Sequence, residues 1–467
     1  MSYEETLSFL YGCHASEYHD LRRIHYLLAC LGNPQKTFPS ILIAGTNGKG
    51  SVAKMLNAVL QKAHYRVGCF TSPHLLDFGE RITVNDALLS HEAIVGLTEE
   101  IREHALTPVT RHAAELGISG DVSFFEMITA MGFLHFSRQH VDIAILEVGI
   151  GGRLDATNTV DPLISVITNV GLDHQNFLGD TIAAIAREKS GIIRQSGDVV
   201  TGSRHPEALD VILSTCRERR ATCYPVGMSD LEIGETDLSE DSVCAHVVPR
   251  KVSSTGSFFS YHGLAAELDE LYLRLPGVHQ LLNTSVALCT LELLERKGFG
   301  ISERAIRGGL ADVEHPGRLE TLHTNPLCVV DIAHNAMGAR TIAAELPEIF
   351  AYDRLIVVIG ILHDKDVAAI LRPFLQVADS MIFTSPHLTQ RAESASVIAN
   401  VAEDLAQGLY GAETWRARYR HWDVCESVQP ALEYAERIAC PQDLIFITGS
   451  NYTVSEAEMI CRSQTGR

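Results

Sequence analysis

Hydrophobic residues lie in short continuous runs that are separated by longer stretches of mixed polarity. In the first half these runs are ILIAG at 41–45, YRVGCF at 65–70, VDIAILEVG at 141–149 and LISVITNV at 163–170. Continuous apolar runs of this length are typical of strands that are covered on both faces. Helix-forming stretches such as SVAKMLNAVLQKA and FFEMITAMGFLHFSRQ follow some of them. The alternation predicts a mostly parallel sheet with helices on its faces.

A second alternating series follows a turn-rich junction, EHPGRLE at 314–320. Its runs are PLCVVDIA, RLIVVIGI, DSMIFTS and DLIFITGS, and they predict a smaller, Rossmann-like α/β domain. The less regular stretch at 225–265 favours short antiparallel strands and loops at the edge of the first domain. We therefore predict an α/β protein with a P-loop-type, mostly parallel domain at 1–314 and a second domain at 315–467.

Composition narrows the class of protein. A chain of 467 residues with 46% hydrophobic residues suits two or three folded domains. Its formal charge of -20 argues against a general nucleic-acid or membrane-surface binder. No apolar span of 18 residues and no basic leader is visible, and the eleven cysteines form no C-x-x-C pair. These features predict a cytoplasmic protein with reduced thiols, neither membrane-spanning nor secreted.

The stretch ILIAGTNGKGSVAKML at 41–56 carries the first candidate chemistry. A strand that enters a glycine turn and then a helix directs unpaired backbone N–H groups at one point, which suits a polyphosphate. Lys49 would supply charge to the outer phosphates, and the Ser51 hydroxyl would face a magnesium ion. The spacing differs from a standard P-loop because Gly50 separates the lysine from the serine. The alternative is an ordinary strand-to-helix loop, but the pattern favours a nucleotide.

Polar residues follow the other strand-like runs, at the edge where open parallel sheets bind their ligands. Magnesium prefers hard oxygen ligands, so Glu147 with Ser51 or Ser72 would make a metal site. His174 is a less typical magnesium ligand and would otherwise be a core or capping histidine. Glu147 could instead be an internal ion-pair partner. The glycine-rich run after Glu147, GIGGRLD, lacks the G-x-G-x-x-G pattern, which argues against a nicotinamide site.

Two features of the second half could complete a nucleotide site. Arg318 could stabilise transferring phosphoryl charge from across a cleft, and Asp331 and His334 of the DIAHN run could meet a base or ribose. A junction salt bridge and a helix N-cap are the alternatives. Together the residues predict a two-domain enzyme that uses ATP and magnesium, and they leave its substrate open.

Eight motifs, taken together and in this order, resemble those of folylpolyglutamate synthases and dihydrofolate synthases in the Mur ligase superfamily. They are AGTNGKGS, TSPHL with ERI, LEVGIGGRLDATN, GLDH with LGDT, EKSGII, LPGVHQLLN, PGRLE and DIAHN, and they span nearly the whole chain. The resemblance implies an ATP-binding Mur ligase-like domain followed by a glutamate ligase domain. It also implies ATP-dependent addition of L-glutamate to dihydropteroate, to the γ-carboxylate of a folate, or to both, through an acyl phosphate.

The resemblance implies roles for individual residues. ATP would be bound by Asn47, Gly48, Lys49, Gly50, Ser51, Asn283, Arg318, Asp331 and His334. One or two magnesium ions would be held by Ser51, Ser72, Glu147, His174 and a carbamylated Lys189. The pterin-bearing substrate would contact His74, Arg81, Ser123, Phe125, Asp155 and Ala156, although Phe125 in a helical run is otherwise core. Catalysis would depend most on Lys49, Lys189, His174 and Arg318.

Small departures from the family pattern keep the reactive side chains: DIAHNA, FGERI and EKSGI. A larger departure is the N-terminal GCHASEYHDLRRI, which leaves the acceptor less defined than the chemistry. Three alternatives stay open: a paralogue that uses another carboxylic acid, a catalytically inactive homologue and a simple NTPase switch. The expected partners are small-molecule substrates, with neither nucleic acid nor membrane, and we expect a monomer.

Overall fold

The structure is a computed structural model, and it describes residues 1–13, 20–117, 120–229 and 244–465. Parts of the N-terminal departure and of the irregular 225–265 stretch lie outside the described residues. The described chain forms two compact units. The first comprises Met1–Arg250, Phe258–Tyr272 and Gln280–Val313, and the second comprises Lys251–Ser257, Leu273–His279 and Glu314–Arg467. The domain boundary between residues 314 and 315 stays a prediction.

The larger sheet contains eleven strands among the described residues. They are β1 Ser40–Ala44, β2 Val67–Phe70, β3 Ile82–Val84, β4 Ala87–Leu88, β5 Ile143–Glu147, β6 Ile164–Ile167, β7 Asp198–Thr201, β8 Thr222–Met228, β9 Ala245–Ser253, β10 Gly256–His262 and β11 Glu267–Leu273. Their spatial order is β11-β10-β9-β8-β7-β6-β1-β5-β2-β3-β4. The four predicted runs of the first half form β1, β2, β5 and β6, which pair in parallel. This confirms the predicted parallel sheet.

The strands of the 225–265 stretch extend the sheet at one edge, as predicted. The expectation of antiparallel pairing there is wrong for β8 and β9, which pair in parallel with Val226 opposite Ala245.

The described residues also contain sixteen α-helices. They are α1 Tyr3–Tyr11, α2 Arg22–Cys30, α3 Lys49–Lys62, α4 His91–Ile101, α5 Thr107–Leu116, α6 Phe124–Arg138, α7 Gln175–Leu178, α8 Ile182–Ser190, α9 Pro206–Glu218, α10 Val278–Arg296, α11 Glu303–Asp312, α12 Ala336–Ile349, α13 Val367–Val377, α14 Ala395–Tyr410, α15 Val428–Ile438 and α16 Asn451–Thr465. No helix of the described ranges is long and apolar enough to cross a membrane.

Each unit has its own hydrophobic core. In the first unit, buried Leu10, Leu27, Ile94 and Phe133 pack helices α1, α2, α4 and α6 against strands such as β5, which contributes Leu146. This burial removes apolar surface from water and is the main stabilising term for such a layer. The helices leave the ends of β1, β2, β5 and β6 to carry the candidate chemistry.

The second unit is built around a six-stranded sheet in the order β12-β13-β17-β14-β15-β16. The strands are β12 Glu320–Thr324, β13 Leu327–Val330, β14 Leu355–Ile359, β15 Ser380–Phe383, β16 His421–Val424 and β17 Leu444–Thr448. All neighbours pair in parallel except β12 and β13. Leu346, Phe374 and Ile398 from its helices pack on Val357 and Phe446 of the sheet. This confirms the smaller α/β sheet predicted for the second half.

Candidate active site

The turn after β1 has the strand, glycine turn and helix that its pattern predicts. Gly45 has φ +152°, and a Cβ there would lie 1.8 Å from the Thr168 hydroxyl oxygen. Gly48 has φ +84° and directly precedes α3. Both positions therefore require glycine, one because of a close approach and the other because of a left-handed backbone. α3 begins directly at this turn, and the N-terminus of a helix is a favourable place for a phosphate.

Residues at the end of β6 hold this turn in place. Asn47 N donates to the Asn169 side-chain oxygen at 2.8 Å, and the Thr168 hydroxyl donates to Asn47 O at 2.6 Å. Thr46 completes the link through its hydroxyl, which accepts from Gly171 N at 2.9 Å. Sequence reasoning missed Thr168 and Asn169, although both stand in the run that ends beside β1.

Two lysines converge on one backbone carbonyl in this turn. Lys49 Nζ lies 3.1 Å from Gly45 O and 3.2 Å from Thr46 O. Lys189 Nζ, which comes from α8, lies 2.8 Å from the same Gly45 O. The sequence alone identified Lys189 only through the family resemblance.

The environment of Lys189 changes its protonation. Burial and, after it, the nearby Lys49 lower the pKa of Lys189 to about 7, while Asp173 and Asp155 oppose the shift. Burial disfavours the charged form because the ammonium loses its hydration. A large fraction of Lys189 is therefore a free amine at neutral pH, which is the form that can act as a nucleophile.

Glu147 lies at the end of β5, beside the same turn. Its Oε1 is 3.9 Å from Lys49 Nζ, and its Oε2 accepts from Ser72 N at 3.2 Å. Ser51, in the first turn of α3, is also buried. The structure thus brings Lys49, Ser72 and Glu147 together as expected. Glu147 is also an ion-pair partner of Lys49, which was the alternative interpretation.

These side chains suit magnesium only as a partial set of ligands. Among the described residues, no group of three or more His, Cys, Asp or Glu side chains is placed to hold a metal ion. A single carboxylate with serine oxygens fits a magnesium ion that takes its remaining ligands from phosphate and water. His174 directly precedes α7 in a left-handed conformation, with φ 51° and its Nε2 4.0 Å from Asp173 Oδ1.

Asn283 of α10 packs against the glycine turn. A Cβ on Gly48 would lie 2.3 Å from Asn283 Oδ1, so the amide covers the backbone where α3 begins. Its Nδ2 donates to the Gln280 side-chain oxygen at 3.0 Å. This contact links the LPGVHQLLN motif to AGTNGKGS across more than two hundred residues of sequence.

A second cluster surrounds Arg81, which follows β2. Arg81 Nε donates to His74 Nδ1 at 2.8 Å, and its guanidinium lies 5.4 Å from the Phe124 ring centre. Burial and, after it, Arg81 lower the pKa of His74 to about 4, so His74 is neutral at physiological pH. Tyr11 stacks on Phe124 with ring centres 5.2 Å apart. The sequence analysis singled out Phe125 and missed Phe124.

The other predicted substrate contacts have structural partners of their own. Ser123 caps α6 through Glu126, which also forms a buried ion pair with Arg23 at 2.9 Å. Phe125 packs edge-on against Phe70. Their contact with a substrate stays a prediction.

Asp155 and Ala156 are also internal. Asp155 accepts hydrogen bonds from the backbone N–H groups of Gly149, Ile150 and Thr157, and burial raises its pKa in spite of these bonds. Ala156 is part of the first core. The carboxylate therefore shapes the GIGGRLDATN turn, and direct substrate contact by either residue stays a prediction.

The second unit presents Arg318 on a tight turn. Leu319 N donates to Asp331 Oδ2 at 3.0 Å, and Gly317 N donates to Glu320 Oε2 at 2.7 Å. Asp331 is buried, which raises its pKa, while Arg318 and His279 oppose the rise. The charge of Arg318 thus acts on Asp331, and a junction salt bridge between them stays one of the alternatives. Sequence reasoning missed Glu320 as a holder of this turn.

The remaining DIAHN residues begin α12. Asn335 caps the helix by accepting from Gly338 N at 2.8 Å, so the N-cap alternative is confirmed for this residue. His334 Nδ1 lies 3.0 Å from Ile332 O. Nearby, Glu345 binds His279 Nδ1 at 2.8 Å. Burial alone would lower the pKa of His279, but the Glu345 carboxylate outweighs it and raises the pKa.

Comparison with known proteins identifies the family. The description "Mur ligase middle domain" matches residues 43–291, and "Mur ligase, glutamate ligase domain" matches residues 317–451. A dihydrofolate synthase/folylpolyglutamate synthase from Bacillus subtilis is 33% identical over 93% of this chain and 93% of its own length. The Escherichia coli protein of the same name is 30% identical over 98% of this chain and 96% of its own length.

Solved structures agree with the sequence relatives. Mycobacterium tuberculosis folylpolyglutamate synthase complexed with ADP has a TM-score of 0.85 and 32% identity, covering 98% of each chain. Escherichia coli FolC in complex with DHPP and ADP has a TM-score of 0.83 and 28% identity, covering 100% of this chain and 99% of that chain. The predicted resemblance is confirmed, and this chain belongs to the dihydrofolate synthase/folylpolyglutamate synthase family of Mur ligases.

Proposed function

We propose that this chain joins L-glutamate to dihydropteroate, to the γ-carboxylate of folates, or to both, using an acyl phosphate made from ATP. As a member of its family the chain is an ATP-dependent ligase. One observation supports the site assignment most strongly: Lys49 and Lys189 converge on Gly45 O, beside Glu147 and the start of α3.

The proposed chemistry follows from the weak reactivity of a carboxylate toward amines. An acceptor carboxylate oxygen attacks the γ-phosphorus of ATP, and the bond to ADP breaks. The glutamate amine then attacks the acyl carbon, phosphate leaves, and the nitrogen loses a proton. The overall reaction forms one amide bond and converts one ATP to ADP and phosphate.

In this proposal the turn after β1 binds the phosphates. Lys49 neutralises developing phosphoryl charge, and the backbone of Gly48 and Gly50 donates hydrogen bonds. Asn47, whose backbone N–H donates to Asn169, is proposed as a further contact of the phosphates. Asn283 of α10 packs against the same turn, and its amide is proposed to bind the nucleotide there. Arg318, Asp331 and His334 of the second unit are proposed as further ATP ligands.

Ser51, Ser72, Glu147 and His174 are proposed to hold magnesium. When bound, magnesium would neutralise phosphate charge and polarise the transferring phosphoryl group. The chain's own part is to fix the carboxylate: Glu147 is buried, its Oε2 accepts from Ser72 N, and its Oε1 lies 3.9 Å from Lys49 Nζ. A carbamate on Lys189 would add a second anionic group at the same turn.

The acceptor is proposed to bind near Arg81. Its guanidinium lies between His74 and Phe124, and a half-buried aromatic surface of this kind suits a flat pterin ring. His74 is neutral and accepts from Arg81 through Nδ1, so its proton lies on Nε2. The other proposed contacts of the acceptor are Ser123, Phe125, Asp155 and Ala156. We further propose a cytoplasmic monomer.

Glutamate-dependent ADP release tests the proposal, with magnesium and ATP and with either dihydropteroate or tetrahydrofolate as acceptor. Product masses decide between acceptors: an added glutamate on dihydropteroate alone defines a dihydrofolate synthase, and additions on both define a bifunctional enzyme. If neither acceptor supports ADP release, or if ADP is released without glutamate, the proposal is contradicted. Omission of each substrate in turn is the control.

A further inference from the structure

The turn that carries Arg318 is held in an unfavourable backbone shape. Gly317 has φ +72° and Leu319 has φ +43°, so a leucine occupies the left-handed region. That region costs a non-glycine residue free energy, and it persists only where surrounding contacts impose it. Here Ile332 N donates to Gly317 O at 3.0 Å, and Glu320 Oε2 accepts from Gly317 N at 2.7 Å.

Glu320 in turn meets a second carboxyl group. Glu458 of α16 is 0% exposed, and its Oε2 accepts from Arg462 at 3.0 Å. Its Oε1 is buried and receives no hydrogen bond from any donor in the described part of the chain. Glu320 lies within hydrogen-bonding distance of Glu458. Two ionised carboxylates repel each other at that distance, whereas a carboxylic acid can donate an O–H to its neighbour.

We propose that Glu320 and Glu458 share one proton, and that this acid–carboxylate pair is a positioning device for Arg318. The shared proton joins α16 to Glu320, and Glu320 holds Gly317 beside the arginine. Neither carboxyl group touches the reacting atoms. The inference rests on the proposed function, in which Arg318 contacts ATP.

The charged surroundings set the direction of the pH dependence. Burial and, after it, Glu320 raise the pKa of Glu458 to about 8, and Arg462 opposes the rise. Below about pH 8 the pair therefore holds its proton, and above it both carboxylates are charged and the link is broken. The other titratable groups around α16 are Cys461 on the same helix, Glu436 on α15, Cys328 on β13 and His323 on β12.

The test compares the wild-type chain with Glu458→Gln, because glutamine keeps the shape and supplies an N–H donor that does not titrate. Binding of AMPPCP is measured by calorimetry from pH 6.5 to 9.5. We expect the wild-type Kd to rise about fivefold or more above pH 8, and the Kd of Glu458→Gln to stay within about twofold. An equal rise in both proteins would overturn the inference.

Two further variants keep the test decisive if Glu458→Gln folds poorly. Arg462→Gln removes the cation that opposes the shift, so the alkaline rise in Kd should move to higher pH. Glu320→Ala removes the acceptor for Gly317 N and should weaken AMPPCP binding at every pH, raising KM for ATP more than it lowers kcat. No effect of either change would overturn the inference.

Glu456→Gln, two residues away on α16, is the matched control because glutamine can still accept from Leu388 N. It should keep the wild-type pH profile. Different results would refute the two proposals. A wild-type chain without glutamate-dependent ADP release refutes the proposed function. An active chain in which AMPPCP binding depends on pH equally in wild type and Glu458→Gln refutes only the proton-sharing pair.

Discussion

The turn after β1 and the turn around Arg318 present one cation each, but they are built differently. In the first, the cation is placed by its own segment: β1, two glycines and α3 follow one another, and Lys49 bonds carbonyls three and four residues before it, while Thr168 and Asn169 bond the backbone of the turn. In the second, side chains outside the turn place the cation, since Asp331 and Glu320 hold the backbone and Glu458 holds Glu320. The position of Lys49 is therefore encoded in one short stretch, whereas the position of Arg318 depends on each of these side chains.

The largest effect is expected from Lys49→Ala, which removes the cation of the turn after β1. Loss of the cation at the phosphates should lower kcat by about 100- to 1,000-fold, as for removal of one charge-stabilising donor. Glutamate-dependent ADP release measures it. Lys62→Ala, at the other end of α3 and paired with Asp312, should remain near wild type. Near-normal turnover of Lys49→Ala would refute the site.

Lys189→Ala should lose amide formation by about 100-fold while AMPPCP binding changes by less than about threefold, because the lysine is proposed to act after ATP binds. The pKa of Lys189, about 7, fixes the direction in which activity should change with pH. The free amine, which alone reacts with carbon dioxide, grows as pH rises from 6 to 8. Activity and a carbon-13 carbamate signal from labelled bicarbonate should grow with it. Equal loss of binding and turnover would contradict this role.

Gly48→Ala should have an intermediate effect, because it strains the local turn and pushes on Asn283. A left-handed alanine costs about 1–2 kcal/mol, and KM for ATP should rise about tenfold. Gly96→Ala is the matched control, since that glycine lies mid-helix in α4 with open space around its Cα. If Gly48→Ala keeps the wild-type KM, the turn does not bind the phosphates closely.

The smallest effect separates two neighbouring phenylalanines. Phe124→Leu should raise KM for the acceptor about threefold to tenfold, because the ring lies with Arg81 and Tyr11. Phe125→Leu should mainly lower the unfolding temperature, since that ring packs against Phe70. KM for ATP should stay unchanged in both. A reversed pattern would restore Phe125 as the substrate contact.

The same contrast explains how far sequence reasoning reached. Apolar runs predicted β1, β5, β6, β14 and β17, because buried parallel strands must be continuously apolar. The edge strands β12 and β16 were not predicted, because their residues are mostly half-exposed or exposed and form no continuous apolar run. Lys49 and Ser51 were readable from one short stretch. Thr168, Asn283 and Glu320 act through contacts that the spacing of residues in sequence does not encode.

Family resemblance supplied what local pattern could not, as Lys189 shows. As an isolated lysine on α8 it has no sequence feature that distinguishes it from a surface residue. In the structure it is buried with its ammonium on Gly45 O. At Phe125 the motif cannot say which ring of the stretch meets a substrate: Phe124 lies by Arg81, Phe125 packs against Phe70, and the substrate contact of Phe125 stays a prediction.

Lys189 lies beside Lys49 on the same Gly45 carbonyl, and this position would couple the modification of Lys189 to cation binding. If Lys189 becomes a carbamate, an anion replaces an amine beside Lys49, and a divalent cation at Glu147 would favour that change. Linkage is reciprocal: the factor by which the cation raises carbon dioxide occupancy must equal the factor by which carbon dioxide raises cation affinity. Dissolved inorganic carbon would then act as a co-ligand of the metal, and depleting it should mimic partial chelation.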